Sequence, residues 1–243
     1  MPPFASALHA ATAALTDLER WLLPPACLLC EAPVPAREGD ALVCGLCLTR
    51  WRRLPNPLCV RCGQPRAPEV ECRICGAWPP GLARVRSAVW LEGGARRAAH
   101  QLKYGGWTRL AEPMADVMRG LEPLTERVCL IPIPLGTRRL RERGYNQSER
   151  LAAALAGRVG GTVRTDLLQR VRETRTQTAL TPEARQANLA AAFVAVGRVP
   201  ARAVLVDDVF TTGATLGAAA AALRAAGAEQ VEAVTFARAA ELV

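Results

Sequence analysis

Residues Ala203–Thr215 read A-V-L-V-D-D-V-F-T-T-G-A-T. An apolar run leads straight into two acids, then a hydroxyl- and glycine-rich turn, then an alanine-rich stretch from Leu216. This order predicts a buried strand over 203–206 and a helix over 216–226. Asp207 and Asp208 then fall at the carboxyl end of a strand, where open α/β sheets bind their ligands. The N–H groups of Thr211, Thr212, Gly213, Ala214 and Thr215 can converge on an anion, helped by the positive end of the helix behind them. Carboxylates for hydroxyls beside amides for a phosphate suit a sugar phosphate. The alternative is an ordinary strand–turn–helix with an acidic cap. The kinase-type phosphate loop G-x-x-x-x-G-K-[ST] does not occur in the chain.

These residues resemble the phosphoribosyl pyrophosphate (PRPP) motif of type I phosphoribosyltransferases, in which hydrophobic residues and paired acids precede T-T-G-x-T. The resemblance implies that Asp207 and Asp208 are the catalytic acids and hold the ribose diol, with Mg²⁺ nearby. It also implies that Val209, Phe210 and Thr211–Thr215 complete the PRPP site around the 5′-phosphate.

The rest of the second half fits that expectation. Strands are predicted at 85–91, 128–133 and 231–236, with an extended segment at 162–171. Helices are predicted at 95–103, 110–121, 146–159 and 182–192. Alternating strands and helices argue for a parallel sheet with helices on both faces. Cys129, on a buried strand, reads as a small core residue. Before residue 81 the pattern differs. Residues 4–22 have helical spacing that Pro24 and Pro25 stop, and 27–80 are proline-spotted with little periodicity. The expected organisation is an N-terminal helix over 1–25, a cysteine module over 26–80 and an α/β domain over 81–243.

Eight of the nine cysteines lie between Cys27 and Cys75, in four C-x-x-C pairs. A two-residue gap lets both sulfurs of a knuckle reach one ion, and four thiolates close a tetrahedral structural site. Sequential pairing gives one zinc at Cys27, Cys30, Cys44 and Cys47 and a second at Cys59, Cys62, Cys72 and Cys75. Crossed pairing remains open at this point. Structural zinc in small modules contributes about 10–16 kcal/mol of apparent binding energy, enough to stand in for a missing core. Redox dithiols and iron–sulfur clusters fit four Gly- and Pro-flanked pairs less well. Arg50, Trp51, Arg52, Arg53, Arg61, Arg66, Arg73 and Trp78 suit contacts to single-stranded nucleic acid, or the tryptophans pack the ribbons.

The start of the chain has no basic region of a signal peptide, and no run of about eighteen apolar residues indicates a membrane span. With unpaired thiols, a cytoplasmic protein is expected. The net charge is +9, and the surplus sits in residues 84–175. Such a field attracts polyphosphate or nucleic acid. Within it, Leu130–Gln147 reads L-I-P-I-P-L-G-T-R-R-L-R-E-R-G-Y-N-Q. A strand ends in I-P-I-P, and a loop carries Arg138, Arg139, Arg141 and Arg143, whose guanidinium forks suit pyrophosphate. Lys103, the only lysine, lies in L-K-Y-G-G. The polar segment before the acid strand, with Arg172, Arg175, Thr176, Gln177, Arg185 and Asn188, is a candidate lid that excludes water from a reacting carbon. His9 and His100 read as surface or packing residues.

Taken together, the chain resembles the ComF family, including its GntX-like members. The shared pattern is a double zinc ribbon, L-K-Y-G, P-I-P-L…R…R-G-Y-N-Q, R…T…Q…L…R…N…F and V-L-V-D-D-V-x-T-T-G-x-T. The resemblance implies a type I phosphoribosyltransferase-like parallel sheet flanked by helices, with a small N-terminal double zinc-ribbon module. It implies a Mg²⁺–PRPP or ribose-phosphate site to which Lys103, Arg138, Arg143, Arg172, Thr176 and Gln177 contribute pyrophosphate and lid contacts. It further implies a role in natural transformation, with single-stranded DNA handled at the cytoplasmic face of the uptake machinery. A DNA-uptake helicase and recombination proteins are the partners such a role suggests. A nucleobase-salvage transferase, and a non-enzymatic module with PRPP as effector, stay open beside it.

Overall fold

The computed structural model describes residues 25–66, 72–76, 78, 81–124, 127–171 and 192–240. The chain forms two compact units, Met1–Arg50 and Trp51–Val243. The boundary falls between the second and third cysteine pairs, whereas composition places it near residue 80. The reason is packing. Cys59, Cys62, Cys72, Cys75 and Trp78 belong to the same buried cluster as Leu82, Val85, Phe210 and Leu216.

In the first unit, the Cys27–Cys30 knuckle turns back on itself through Cys27 N–H to the Ala32 carbonyl at 2.8 Å. Helix α1 (Gly45–Thr49) begins where the Glu38 carboxylate accepts a hydrogen bond from Gly45 N–H at 2.8 Å. Predicted helix 4–22, with Trp21 and His9, lies outside the described residues.

The second unit begins with its own knuckle and a short helix α2 (Arg73–Gly76). Strand β1 (Leu82–Trp90) is followed by α3 (Gly93–Tyr104), α4 (Ala111–Met118) and β2 (Cys129–Pro132). Next come α5 (Thr137–Arg143), α6 (Gln147–Val159), β3 (Thr162–Val163), β4 (Leu168–Arg170) and β5 (Phe193–Ala195). The acid strand β6 (Arg202–Phe210), α7 (Ala214–Ala225) and β7 (Gln230–Arg238) complete the fold. Five parallel strands form the sheet in the order β1-β7-β6-β2-β3. β4 and β5 form a separate antiparallel pair.

Helices cover both faces. Leu216, Ala219, Ala220 and Leu223 of α7 share a cluster with Ala203, Leu205, Val231 and Ala233 of β6 and β7. The alternate residues Val204 and Val206, with the period of two that a strand imposes, are also fully buried. Helix α6 packs on β6 and β2, and α4 packs on α6. Helix α6 forms where it does because Asn146 caps it, its side chain accepting from Ser148 N–H at 3.0 Å. Gly160, at φ 64°, ends it.

Three elements differ from the sequence expectation. Strand β6 runs on to Phe210, because β7 pairs with it as far as Phe210 opposite Arg238. The arginine segment is a helix rather than a loop: Arg, Leu and Glu favour helix, and Gly144 at φ 78° closes it. The 162–171 segment divides into β3 and β4. Predicted helix 182–192 lies almost wholly outside the described residues.

Candidate functional site

The sheet order fixes where a ligand can sit. After β2 the chain moves outward through α6 to β3, and after β6 it moves the other way through α7 to β7. The crevice between the carboxyl ends of β6 and β2 is therefore a topological switch point. β2 pairs with β6 only as far as Pro132 opposite Val206. Asp207 and Asp208 follow at once, with no β2 partner beside them. A cleft of about 650 Å³ opens there, lined by Ile133 and Leu135 from one side and Asp207, Asp208, Val209 and Thr215 from the other.

The two acids have different partners. Asp208 is 2% exposed and accepts an ion pair from Lys103 Nζ at 2.7 Å on Oδ2. Its Oδ1 accepts from Gln147 Nε2 at 3.3 Å. Asp207 Oδ1 accepts from Ser148 Oγ at 2.8 Å and from Asp208 N–H at 2.9 Å. Burial, then the neighbouring Asp208 carboxylate, pushes the Asp207 carboxyl up to about 7, against the opposing pull of Lys103 and Ser148.

The turn 211–215 follows. Gly213 has φ 82° and starts α7, and Gly217 N–H donates to its carbonyl at 2.8 Å. Thr211 and Thr212 are exposed and Thr215 is half-buried. Ala214 N–H leans towards Thr212 Oγ1 at 3.4 Å. Phe210 is 1% exposed, so its ring belongs to the core and only its backbone can serve the loop.

Opposite the acids, Arg139 and Arg143 of α5 and Arg170 of β4 line the cleft. Arg143 donates to Gln147 Oε1 and holds its guanidinium 5.0 Å from the Tyr104 ring. Tyr145 donates to the Leu102 carbonyl, tying α3 to the turn before α6. Arg138 lies away from the cleft, exposed and paired with Glu142 at 3.1 Å. Arg172, Thr176 and Gln177 lie outside the described residues; β4 and β5, on either side of that segment, pair Gln169 with Val194. Arg139 was among the arginines the sequence offered for pyrophosphate, whereas Arg170, Gln147 and Ser148 were not singled out by composition or spacing. The Y-N-Q motif carried the one available hint, since it places Gln147 at a helix start beside a strand end.

The cysteines form two groups, Cys27/Cys30/Cys44/Cys47 and Cys59/Cys62/Cys72/Cys75, with all sulfurs of a group within 4.8 Å of one another. This is sequential pairing. An ion with tetrahedral bonds of about 2.3 Å to sulfur separates its ligands by about 3.8 Å. Cys30 and Cys44 stand at 3.8 Å, Cys59 and Cys75 at 3.7 Å, and Cys62 and Cys72 at 3.4 Å. A disulfide needs about 2.05 Å. Burial opposes ionisation of Cys27, but N–H groups of Cys44, Leu29 and Cys30 outweigh it and bring the thiol down to about 6. Cys59 comes down to about 6 in the same way. Burial and neighbouring sulfurs push Cys75 up to about 11. Four thiolates at this spacing need a cation at their centre, and both groups fit zinc. Cys129 is half-buried, its thiol raised by burial.

A double zinc ribbon joined to a phosphoribosyltransferase domain is the class these features define. The chain matches the double zinc ribbon domain over residues 18–77 and the phosphoribosyl transferase domain over residues 146–242. It is 32% identical over 224 residues to DNA utilization protein YhgH of Salmonella typhi, covering 86% of this chain and 95% of that one. It is 39% identical over 115 residues to competence protein F of Haemophilus influenzae, covering 46% and 50% of the two chains. Competence protein ComFC of Streptococcus pneumoniae is 26% identical over 205 residues, 83% and 90% of the two chains. The chain belongs to the ComF family. Among the described residues, no helix is long and apolar enough to cross a membrane.

Proposed function

We propose that this protein serves competence and DNA utilisation by binding single-stranded DNA and, in the crevice between β6 and β2, PRPP with Mg²⁺. The acid pair beside an amide-lined turn at a topological switch point is the observation that carries this reading. The names of the ComF relatives supply the DNA side of it.

In this reading the loop Thr211–Thr215 takes the 5′-phosphate and Asp207 and Asp208 take the ribose hydroxyls and the Mg²⁺-bound sugar. The ion, when bound, neutralises charge on the diphosphate. Arg139 and Arg143 face the same crevice and suit the pyrophosphate oxygens, since guanidinium pairs them bidentately. Lys103 stands 2.7 Å from Asp208 Oδ2 and keeps that carboxylate in place. If pyrophosphate leaves the anomeric carbon, these arginines stabilise the departing charge, and Asp207 is placed to exchange the acceptor's proton.

The DNA face proposed here adjoins the mouth of that crevice. Tyr104 is 69% and Trp107 43% exposed, on either side of Gly105 and Gly106. His100, also exposed, stacks near Tyr104 at 5.0 Å. Exposed Arg139, Arg141 and Arg97 lie on neighbouring helices. Exposed aromatics interleaved with arginines stack bases and neutralise phosphates without reading sequence. Fluorescence anisotropy with a labelled oligothymidylate, titrated with salt, tests this. The Tyr104→Ala/Trp107→Ala double variant is expected to lose about 1–3 kcal/mol per stacked base at unchanged salt slope. Arg139→Ala is expected to flatten the slope by about 0.7. Wild-type binding that does not weaken as salt rises would refute the reading.

A further inference from the structure

The second cysteine group and the phosphate loop are built as one piece. Trp78, three residues beyond Cys75, donates from Nε1 to the Thr212 carbonyl at 3.1 Å. Its ring lies where a Cβ on Gly213 would be 2.7 Å away, and 5.9 Å from the Phe210 ring. Trp78 N–H donates to the Cys75 carbonyl at 3.3 Å. Arg61, inside the knuckle, donates to the same carbonyl at 3.1 Å and stacks on the Trp78 ring at 5.7 Å.

A second link runs through Arg238, the last residue of β7 and 1% exposed. It donates to the Cys62 carbonyl at 2.8 Å and to Gln64 Oε1 at 2.7 Å, and one of its nitrogens lies 3.9 Å from Cys62 Sγ. Its guanidinium stacks 4.2 Å from the Phe210 ring, at the root of the loop. The knuckle is also fastened to the sheet edge, Val85 N–H donating to the Arg61 carbonyl at 2.7 Å.

The consequence follows from peptide geometry. A trans peptide points its carbonyl and its N–H in opposite directions. Anchoring the Thr212 carbonyl on the indole therefore aims the Gly213 N–H away from the ribbon, as a donor to a ligand must be. Gly213 is required for the same reason: any side chain there would displace Trp78.

We propose that Trp78 is a positioning residue for the phosphate loop, so that the second cysteine group, through Trp78 and Arg238, sets the loop's affinity for a sugar phosphate. The first group has no part in this. The proposal rests on the reading of the loop as a phosphate binder.

The test uses the full-length, zinc-loaded protein and Trp78→Phe, which keeps a smaller aromatic ring at the site and removes the N–H. Ribose 5-phosphate and inorganic pyrophosphate are titrated separately by calorimetry, and amide hydrogen exchange is followed over residues 211–215. Trp78→Phe is expected to weaken ribose 5-phosphate about five- to tenfold, the worth of one hydrogen bond. Pyrophosphate affinity stays as in wild type, and loop amides exchange faster. Cys72→Ser is expected to act in the same direction, and Cys30→Ser to leave both affinities alone. Unchanged sugar-phosphate affinity with unchanged exchange overturns the proposal, as does an equal loss of both ligands. A wild-type protein that binds no ribose 5-phosphate refutes the functional reading, and the exchange rates still decide the role of Trp78.

Discussion

Asp207 and Asp208 are adjacent in sequence, yet their surroundings divide the work between them. Asp208 is buried with a cation at 2.7 Å, so its charge is matched inside the protein. Asp207 has hydroxyl and amide partners and is raised from 3.8 to about 7 by burial and then by its neighbour. A folded-state value above the unfolded one means that folding takes up a proton between them. Stability should therefore fall as pH rises from about 4 to about 7 and level off above that. Urea denaturation across pH 4–8 checks this, and Asp207→Asn should remove that part of the slope. Lys103→Met leaves the Asp208 carboxylate buried without its cation, which costs about 3–5 kcal/mol. Adding Asp208→Asn to that variant should recover much of the loss. Strictly additive losses in the double variant would mean that the two groups do not act as a pair.

At the scale of elements, the crevice depends on where strands and helices stop. β2 ends at Pro132 while β6 continues to Phe210, and that difference in length frees Asp207 and Asp208 on one side. Helix α6 brings Gln147 and Ser148 to the acids because Asn146 caps it and also donates to the Ile133 carbonyl at 3.0 Å. Asn146→Ala should cost about 1–2 kcal/mol, read from the denaturation midpoint, and loosen both acids. Gly213→Ala meets a positive φ and the Trp78 ring together. It should cost at least about 1–3 kcal/mol and weaken phosphate binding more than Asn146→Ala does. Much of this arrangement was legible in the chain. The V-L-V-D-D-V-F-T-T-G-A-T segment names strand, acids and turn in order, and the four C-x-x-C pairs name the metal ligands. The helical form of residues 137–143 was not, because two glycines around a charged run also suit a loop. Nor was the role of Trp78. Its hydrogen bond to Thr212 joins residues 134 positions apart, and local spacing carries no sign of so distant a pairing.

For the whole molecule, the division after Arg50 separates the two cysteine groups into different units. Zinc analysis of the purified protein should give two ions per chain. Cys27→Ser with Cys30→Ser should reduce this to one and leave the unfolding of the Trp51–Val243 unit unchanged. A chain beginning at Trp51 should retain one zinc. The surplus of positive charge in residues 84–175 belongs to the second unit as well, which places the proposed DNA face and the crevice in the same body. Calorimetric titration of PRPP with Mg²⁺ into the wild-type protein and into Asp208→Asn tests the central claim most directly. One site per chain, weakened at least about tenfold by the substitution, is the expected result. Absence of binding to the zinc-loaded wild type, or equal affinity in the two proteins, would contradict it.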